Sequence, residues 1–201
     1  MKDYTPDQLR TVVLVSHQGA GKTSLAEAML FDTAVTTRLG KIDDGTTASD
    51  WDPDEIQHKI SISNAVLPIE WTATKVNVID TPGYADFVGE VQAGVRVADS
   101  AALLVSAVDG IEVGTEQTWE YVAGRNLPCV IVLNKLDREN AEFDKVLDDM
   151  RSRFGSGVAA LQIPIGREHD FSGVVDLITL KAYTWSGGKM ETVAIPADLQ
   201  S

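Results

Sequence analysis

The sequence predicts an α/β fold: a mostly parallel six-stranded sheet flanked by helices, with one antiparallel edge strand, then the start of a small inserted β-containing subdomain. Three observations carry this. The apolar runs "TVVLV" (11–15), "AALLVSAV" (101–108) and "PCVIVLN" (128–134) read as strands covered on both faces. Stretches of helical period separate them, the arrangement of a parallel sheet between helices. From about residue 167 short strands and turns replace that alternation, so two units are expected, residues 1–166 and 167–201.

Each element follows in order. The strand at 11–15 runs into "SHQGAGKT" and then a helix from about Lys22, with Leu25, Ala28 and Met29 on one face. Residues 32–60, rich in Asp, Thr and Gly, lose all periodicity. A stretch that long inside a compact domain marks a switch, a lid or a disordered loop. Within it "DWDPDE" (50–55) has the alternating carboxylates of a calcium loop but Glu55 in place of the glycine and Ser61 in place of the last glutamate. It reads as a solvated acidic loop. Residues 60–79 form a hairpin with Glu70 near its turn. After "DTPGYADF" comes a helix with Val88, Val91, Val95 and Ala98 in register, and residues 114–124 fit another. Phe143, Val146, Leu147, Met150 and Phe154 trace a stripe on a last helix before a strand at 160–166.

The totals exclude several classes. At 201 residues and 44% apolar content the chain can bury a sizeable core. A formal charge of −13 argues against general nucleic-acid binding and sequence-specific DNA recognition, which need Lys and Arg against phosphates. One cysteine, Cys129, rules out an internal disulfide framework. "MKDYTPDQLR" carries no apolar signal stretch, and no segment approaches the roughly 20 apolar residues that span a bilayer. A soluble, cytoplasmic, monomeric protein is the expectation.

Three motifs carry chemistry. "SHQGAGKT" satisfies G-x-x-x-x-G-K-[ST] except that Ser16 holds the first glycine position. It follows a strand and opens a helix, so the segment Ser16, His17, Gln18, Gly19, Ala20, Gly21, Lys22, Thr23 and Ser24 is a candidate P-loop. Its backbone N–H groups would face phosphate oxygens, Lys22 would reach the terminal phosphates, and the Thr23 hydroxyl would bind Mg²⁺. "DTPG" (80–83) ends the hairpin, placing Asp80 to hold Mg²⁺ through water and the Gly83 N–H to sense a γ-phosphate. "NKLD" (134–137) ends a buried strand. The Asp137 carboxylate can accept from N1–H and the 2-amino group of guanine, a donor pair adenine lacks. The Lys135 stem would lie along the base and Asn134 would brace the loops. Such sites lie at the carboxyl ends of strands in open α/β sheets. The motifs together indicate GTP or GDP with Mg²⁺.

With these residues in view, the chain resembles the guanine-nucleotide domain of elongation factor G, and more closely the elongation-factor-G-like branch. "DTPGYADFVGEV", "NKLDREN" and "FSGVVDLITLKAY" carry the match, with "KISIS" (59–63) where that family has an R-G-I-T-I switch segment. The resemblance covers essentially the whole chain, and "GVVDL" resembles the entry to the inserted subdomain of elongation factor G. It implies GTP hydrolysis stimulated by the ribosome, with Ser61 at the switch threonine position as a further Mg²⁺ ligand.

The chain also departs from the family. Gly19 stands at the acidic position of the phosphate loop. Tyr84 stands where translation factors place the histidine that positions the attacking water, after Gly83. A phenol has a reference pKa near 10 and cannot act as an imidazole does near neutrality. Slow hydrolysis, or a different trigger, is expected. "VSA" (105–107) comes too early to be the family's S-A-x loop beneath the base, so more chain beyond residue 201 is expected, and with it tighter nucleotide binding. Two other readings stay open: a GTP-binding switch module docking on the ribosome with little hydrolysis, and an ATP-using phosphotransferase, against which "NKLD" speaks.

Overall fold

The computed structural model describes residues 2–186 and 188–200. Met1, Gly187 and Ser201, two of them the outer ends of the expected units, lie outside the described residues. The chain divides into two compact units, one of residues 1–105 and 112–132, the other of residues 106–111 and 133–201.

In chain order come β1 (Leu9–Val15), α1 (Lys22–Asp32), α2 (Pro53–His58), β2 (Ala65–Trp71), β3 (Thr74–Asp80), α3 (Val88–Val97), β4 (Ser100–Ser106), α4 (Val113–Gly124) and β5 (Cys129–Asn134). The sheet order is β2-β3-β1-β4-β5. β1 runs parallel to β3 and β4, with Val13 opposite both Ile79 and Ala101. β2 joins antiparallel, Ala65 opposite Asp80, as the expected antiparallel edge.

The central strands are buried on both faces where they run through the core: Val13, Leu14 and Val15 are fully buried, as are Leu103, Leu104 and Val105. Successive side chains alternate between faces. Leu14 and Leu104 pack with Ala26 and Leu30 of α1 and with Leu67, Ile69 and Val78 of the hairpin. On β1's other face α3 comes close at Gly94, where an added Cβ would lie 3.1 Å from Val13 Cγ2. A larger side chain there would push α3 off the sheet.

The second unit carries α5 (Phe143–Phe154) and the antiparallel sheet β6-β7-β8-β9, with β6 at Gln162–Ile165, β7 at Gly173–Asp176, β8 at Lys181–Ser186 and β9 at Lys189–Val193. α5 buries Val146 and Met150 from its predicted stripe. Asp176 ties the turn after β7. Its Oδ1 accepts the N–H groups of Ile178 (3.0 Å) and Thr179 (2.7 Å) and the Thr179 hydroxyl (2.9 Å). Those Thr179 bonds hold its carboxyl below the usual range. This is a local structural reason for the aspartate of "GVVDL".

The parallel sheet differs from expectation in one respect. It has five strands, not six, because the predicted strand at 160–166 pairs antiparallel with β7, Ile163 opposite Val175. β5 is therefore an edge strand, and Val130 is 55% exposed where a strand covered on both faces was expected. No helix among the described residues is long and apolar enough to cross a membrane.

Candidate functional site

In the first unit the loop from Ser16 to Gly21 leaves the buried end of β1 and feeds α1. Gly19 (φ 76°) and Gly21 (φ 104°) adopt left-handed backbone, which a glycine enters without the Cβ penalty. Gly21 is the N-cap of α1 and offers no side-chain cap, so the amides of the first turn are left for another acceptor. Ala20 is buried beneath the loop.

Lys22 points inward and is only 6% exposed; its Nζ donates to Ser16 Oγ at 2.9 Å. The Ser16 hydroxyl donates in turn to the His17 carbonyl at 2.6 Å. The serine at the first motif position thus ties both the loop's backbone and its lysine. Burial drives the Lys22 ammonium down to about 8, opposed by the charges of Asp80 and Asp50.

Thr23 and Asp80 meet at the ends of α1 and β3. The Thr23 hydroxyl donates to Asp80 Oδ2 at 2.8 Å and lies 3.3 Å from Ser61 Oγ. Ser61 donates to Asp50 Oδ1 at 2.7 Å. Asp80 is 1% exposed, and its second oxygen, Oδ1, is buried with no hydrogen-bond partner among the described residues. Burial raises its carboxyl to about 6, against the Thr23 bond and the Lys22 charge that favour the ionised form. Burial likewise raises Asp50, against the bond from Ser61. The result is a tight group of hydroxyl and carboxylate oxygens beside a buried ammonium.

Gly83 closes this group from the other side. A Cβ there would lie 2.7 Å from Gln18 Cα and 2.8 Å from Lys22 Nζ, so only glycine lets this turn rest on the phosphate-type loop. A cleft of about 430 Å³ opens between Gln18, Lys22, Thr23, Ser61, Gly83 and Tyr84, with Ser24 also on its wall. Tyr84 stands at its rim, 39% exposed. His17 turns to the neighbouring cleft, where Nε2 lies 3.3 Å from Glu112 Oε1, and its ring leaves no room for a Cβ on Gly114.

Asn134, Lys135 and Asp137 belong to the second unit. The Asn134 carbonyl accepts from Ala107 N–H at 2.8 Å, at the end of β5. Lys135 has left-handed backbone (φ 64°), and its Nζ lies 3.3 Å from Asp109 Oδ2, which also accepts from Ser106 Oγ at 2.7 Å. Asp137 is exposed.

The structure thus gathers Ser16, Gln18, Gly19, Gly21, Lys22, Thr23, Ser24, Ser61, Asp80, Gly83 and Tyr84 around one cleft or its supporting loop. It also corrects one expectation. "DWDPDE" is not a solvated loop: Asp50 and Glu55 are buried, and Asp52 caps α2 through Asp54 N–H at 2.8 Å. The sequence did carry a signal for that cap, since Asp52-Pro53 followed by Glu55 is a capping box with proline at the first helical position. Asp50 was also missed as a member of the site; its role depends on Ser61, eleven residues on.

Residues 7–197 match the family described as "Elongation factor Tu GTP binding domain". The chain is 40% identical over 188 residues to "Elongation factor G 2" of Treponema pallidum (strain Nichols), covering 92% of this chain and 28% of that protein. A crystal structure of a Thermus thermophilus protein superposes with a TM-score of 0.91 at 34% identity, over 95% of this chain and 29% of that one. The chain therefore spans less than a third of the length of each of these relatives. It belongs to the family of elongation factor Tu GTP binding domains, and its α/β sheet with a phosphate-type loop is the fold of that family.

Proposed function

We propose that this chain binds GTP and GDP with Mg²⁺ and hydrolyses GTP, as the nucleotide domain of an elongation-factor-G-like protein that works on the ribosome. The observation that carries the reading is the cluster of buried Lys22, Thr23 and Asp80 with half-buried Ser61, and Gly83 resting on the loop. A buried ammonium beside uncapped helix amides suits a polyphosphate. The oxygen donors Thr23, Ser61 and Asp80 suit a hard divalent ion, and the unpartnered Asp80 Oδ1 is an acceptor that a metal-bound water would satisfy. Bound Mg²⁺ would neutralise charge on the terminal phosphates. Asp137 supplies the acceptor pair for guanine, and Asn134 and Lys135 frame it.

Hydrolysis needs a water in line with the γ-phosphate. Tyr84 offers a phenol at the cleft rim instead of an imidazole. Positioned acid–base help is worth roughly 10²–10⁴-fold, so unstimulated turnover is expected to be slow. That same residue favours a second reading, a GTP-binding switch on the ribosome with little hydrolysis. Calorimetry with GTP, GDP and ATP tests the first claim. Preference for ATP would overturn it. Single-turnover GTP cleavage with and without ribosomes separates the two readings. A ribosome-dependent rate supports the GTPase, and an unchanged slow rate supports the switch.

A further inference from the structure

We propose that Glu27 and Glu55 are positioning residues, two buried carboxylate clamps on the backbone of residues 40–63 that set the Ser61 hydroxyl over Thr23. The inference rests on the reading above, in which Ser61 and Thr23 serve Mg²⁺ and the terminal phosphate. Neither glutamate lines the cleft, and neither belongs to the three nucleotide motifs.

Glu27 is on α1, one turn beyond Thr23, and is 1% exposed. Its Oε1 accepts from Ala48 N–H at 2.5 Å and its Oε2 from Gly40 N–H at 3.2 Å. Glu55 is on α2 and is 2% exposed. Its Oε1 accepts from both Ile62 N–H (2.9 Å) and Ser63 N–H (3.1 Å), and its Oε2 from Asp52 N–H at 3.2 Å. Among the described residues no cation pairs with either carboxylate. Buried charges are ordinarily paired or hydrogen-bonded to several donors. Here the donors are all backbone amides, and all belong to one segment.

That segment needs external anchors. Residues 33–52 contain no helix or strand, so no internal ladder offsets the entropy of ordering them. Glu27 fastens the segment to the helix that presents Lys22 and Thr23. Glu55 fastens its far end at the two amides directly after Ser61. Between the clamps the Ser61 hydroxyl donates to Asp50 and lies 3.3 Å from Thr23 Oγ1. Gly40 is part of the device, since a Cβ there would lie 2.3 Å from Glu27 Oε2.

Glu27→Gln and Glu55→Gln each replace an acceptor oxygen with an NH₂ donor facing another N–H. Gly40→Ala disturbs the Glu27 clamp from the loop side while leaving the buried carboxylate in place, so the test survives if a glutamate variant does not fold. Hydrogen exchange on the whole chain should show the amides of Gly40 and Ala48 exchanging at least tenfold faster in Glu27→Gln and Gly40→Ala. Those of Ile62 and Ser63 should do so in Glu55→Gln. The amides of β1 and β4 should keep wild-type protection. In calorimetry, GDP affinity without Mg²⁺ should stay within twofold of wild type, while the gain that Mg²⁺ gives to GTP binding falls about tenfold. Unchanged exchange at the four amides, protection lost equally from β1 and β4, or an intact Mg²⁺ gain would each overturn the clamps. Wild-type chain that binds no guanine nucleotide would instead overturn the proposed function, and the exchange data would still decide whether the carboxylates hold the segment.

Discussion

At the scale of single residues, the site depends on what glycine permits and on where one carboxylate stands. Gly83→Ala would drive a Cβ into Gln18 backbone at 2.7 Å, and backbone cannot yield as a flexible side chain can. Overpacking of this kind costs about 1–3 kcal/mol. The expected outcome is a lowered melting temperature together with at least tenfold weaker nucleotide binding, read by scanning calorimetry and titration. Lys59 is the converse case. It caps α2 in left-handed backbone (φ 56°), where a side chain costs roughly 1–2 kcal/mol. Part of that gain is offset by the larger entropy a glycine loses. Lys59→Gly should therefore stabilise the domain by about 0.5–1 kcal/mol in urea unfolding, despite loss of the exposed ion pair to Asp43. The base-reading residue predicts a change of specificity rather than of stability. Asp137→Asn replaces the double acceptor with a group that also donates, which suits the 2-carbonyl of xanthine. GTP affinity should fall by about 10²-fold or more and XTP should become the better ligand. Unchanged GTP selectivity would place base recognition elsewhere.

Elements were legible in the sequence where local pattern alone determines them. α5 spans Phe143–Phe154, as its apolar stripe predicts, and the apolar runs bury Val13–Val15 of β1 and Ala101–Ser106 of β4. Their energetic weight differs from that of the edge. Leu104→Ala on β4 removes a side chain with no exposure, for which about 2–5 kcal/mol of destabilisation is expected. Val130→Thr on half-exposed β5 should stay within about 0.5 kcal/mol, as surface changes do. Equal losses in the two variants would mean that β5 is covered after all. What the sequence concealed was decided by distant partners. "LQIPIG" has the composition of a strand in either sheet, and only pairing with Gly173–Asp176 assigns it to the second. "DWDPDE" looks solvated because Asp50 and Glu55 meet donors at residues 61, 62 and 63 only once the chain is folded. The three motifs, by contrast, were readable because each sits at the end of a strand and needs only its own spacing.

At the scale of the whole molecule, the site is installed at a cost to the ligand-free fold, and its pH dependence gives the sign. Asp80 has its carboxyl raised to about 6 from an ordinary value of 3.8, so the folded state holds its proton more tightly than the unfolded one. Its contribution to stability therefore falls as pH rises from 3.8 through 6 and stays low above that. Lys22 has its ammonium lowered to about 8 from 10.5, so the unfolded state is the better proton acceptor. Its contribution falls as pH drops from 10.5 through 8 and stays low below that. Between pH 6 and 8 both groups are ionised and buried, and each shift, their mutual attraction included, corresponds to a penalty on the order of 3 kcal/mol. A chain with a formal charge of −13 has many other titrations, so the difference from a matched variant isolates each one. Urea unfolding of wild type and Asp80→Asn, free of nucleotide and metal, should show the variant gaining relative stability from pH 5 to pH 7. Lys22→Met should gain relative stability from pH 9.5 to pH 7.5. Both variants should lose at least 10²-fold in affinity for GDP with Mg²⁺, the trade expected where function demands buried charge. A difference that does not change with pH would mean that these groups already find in the empty protein the compensation we assign to the ligand.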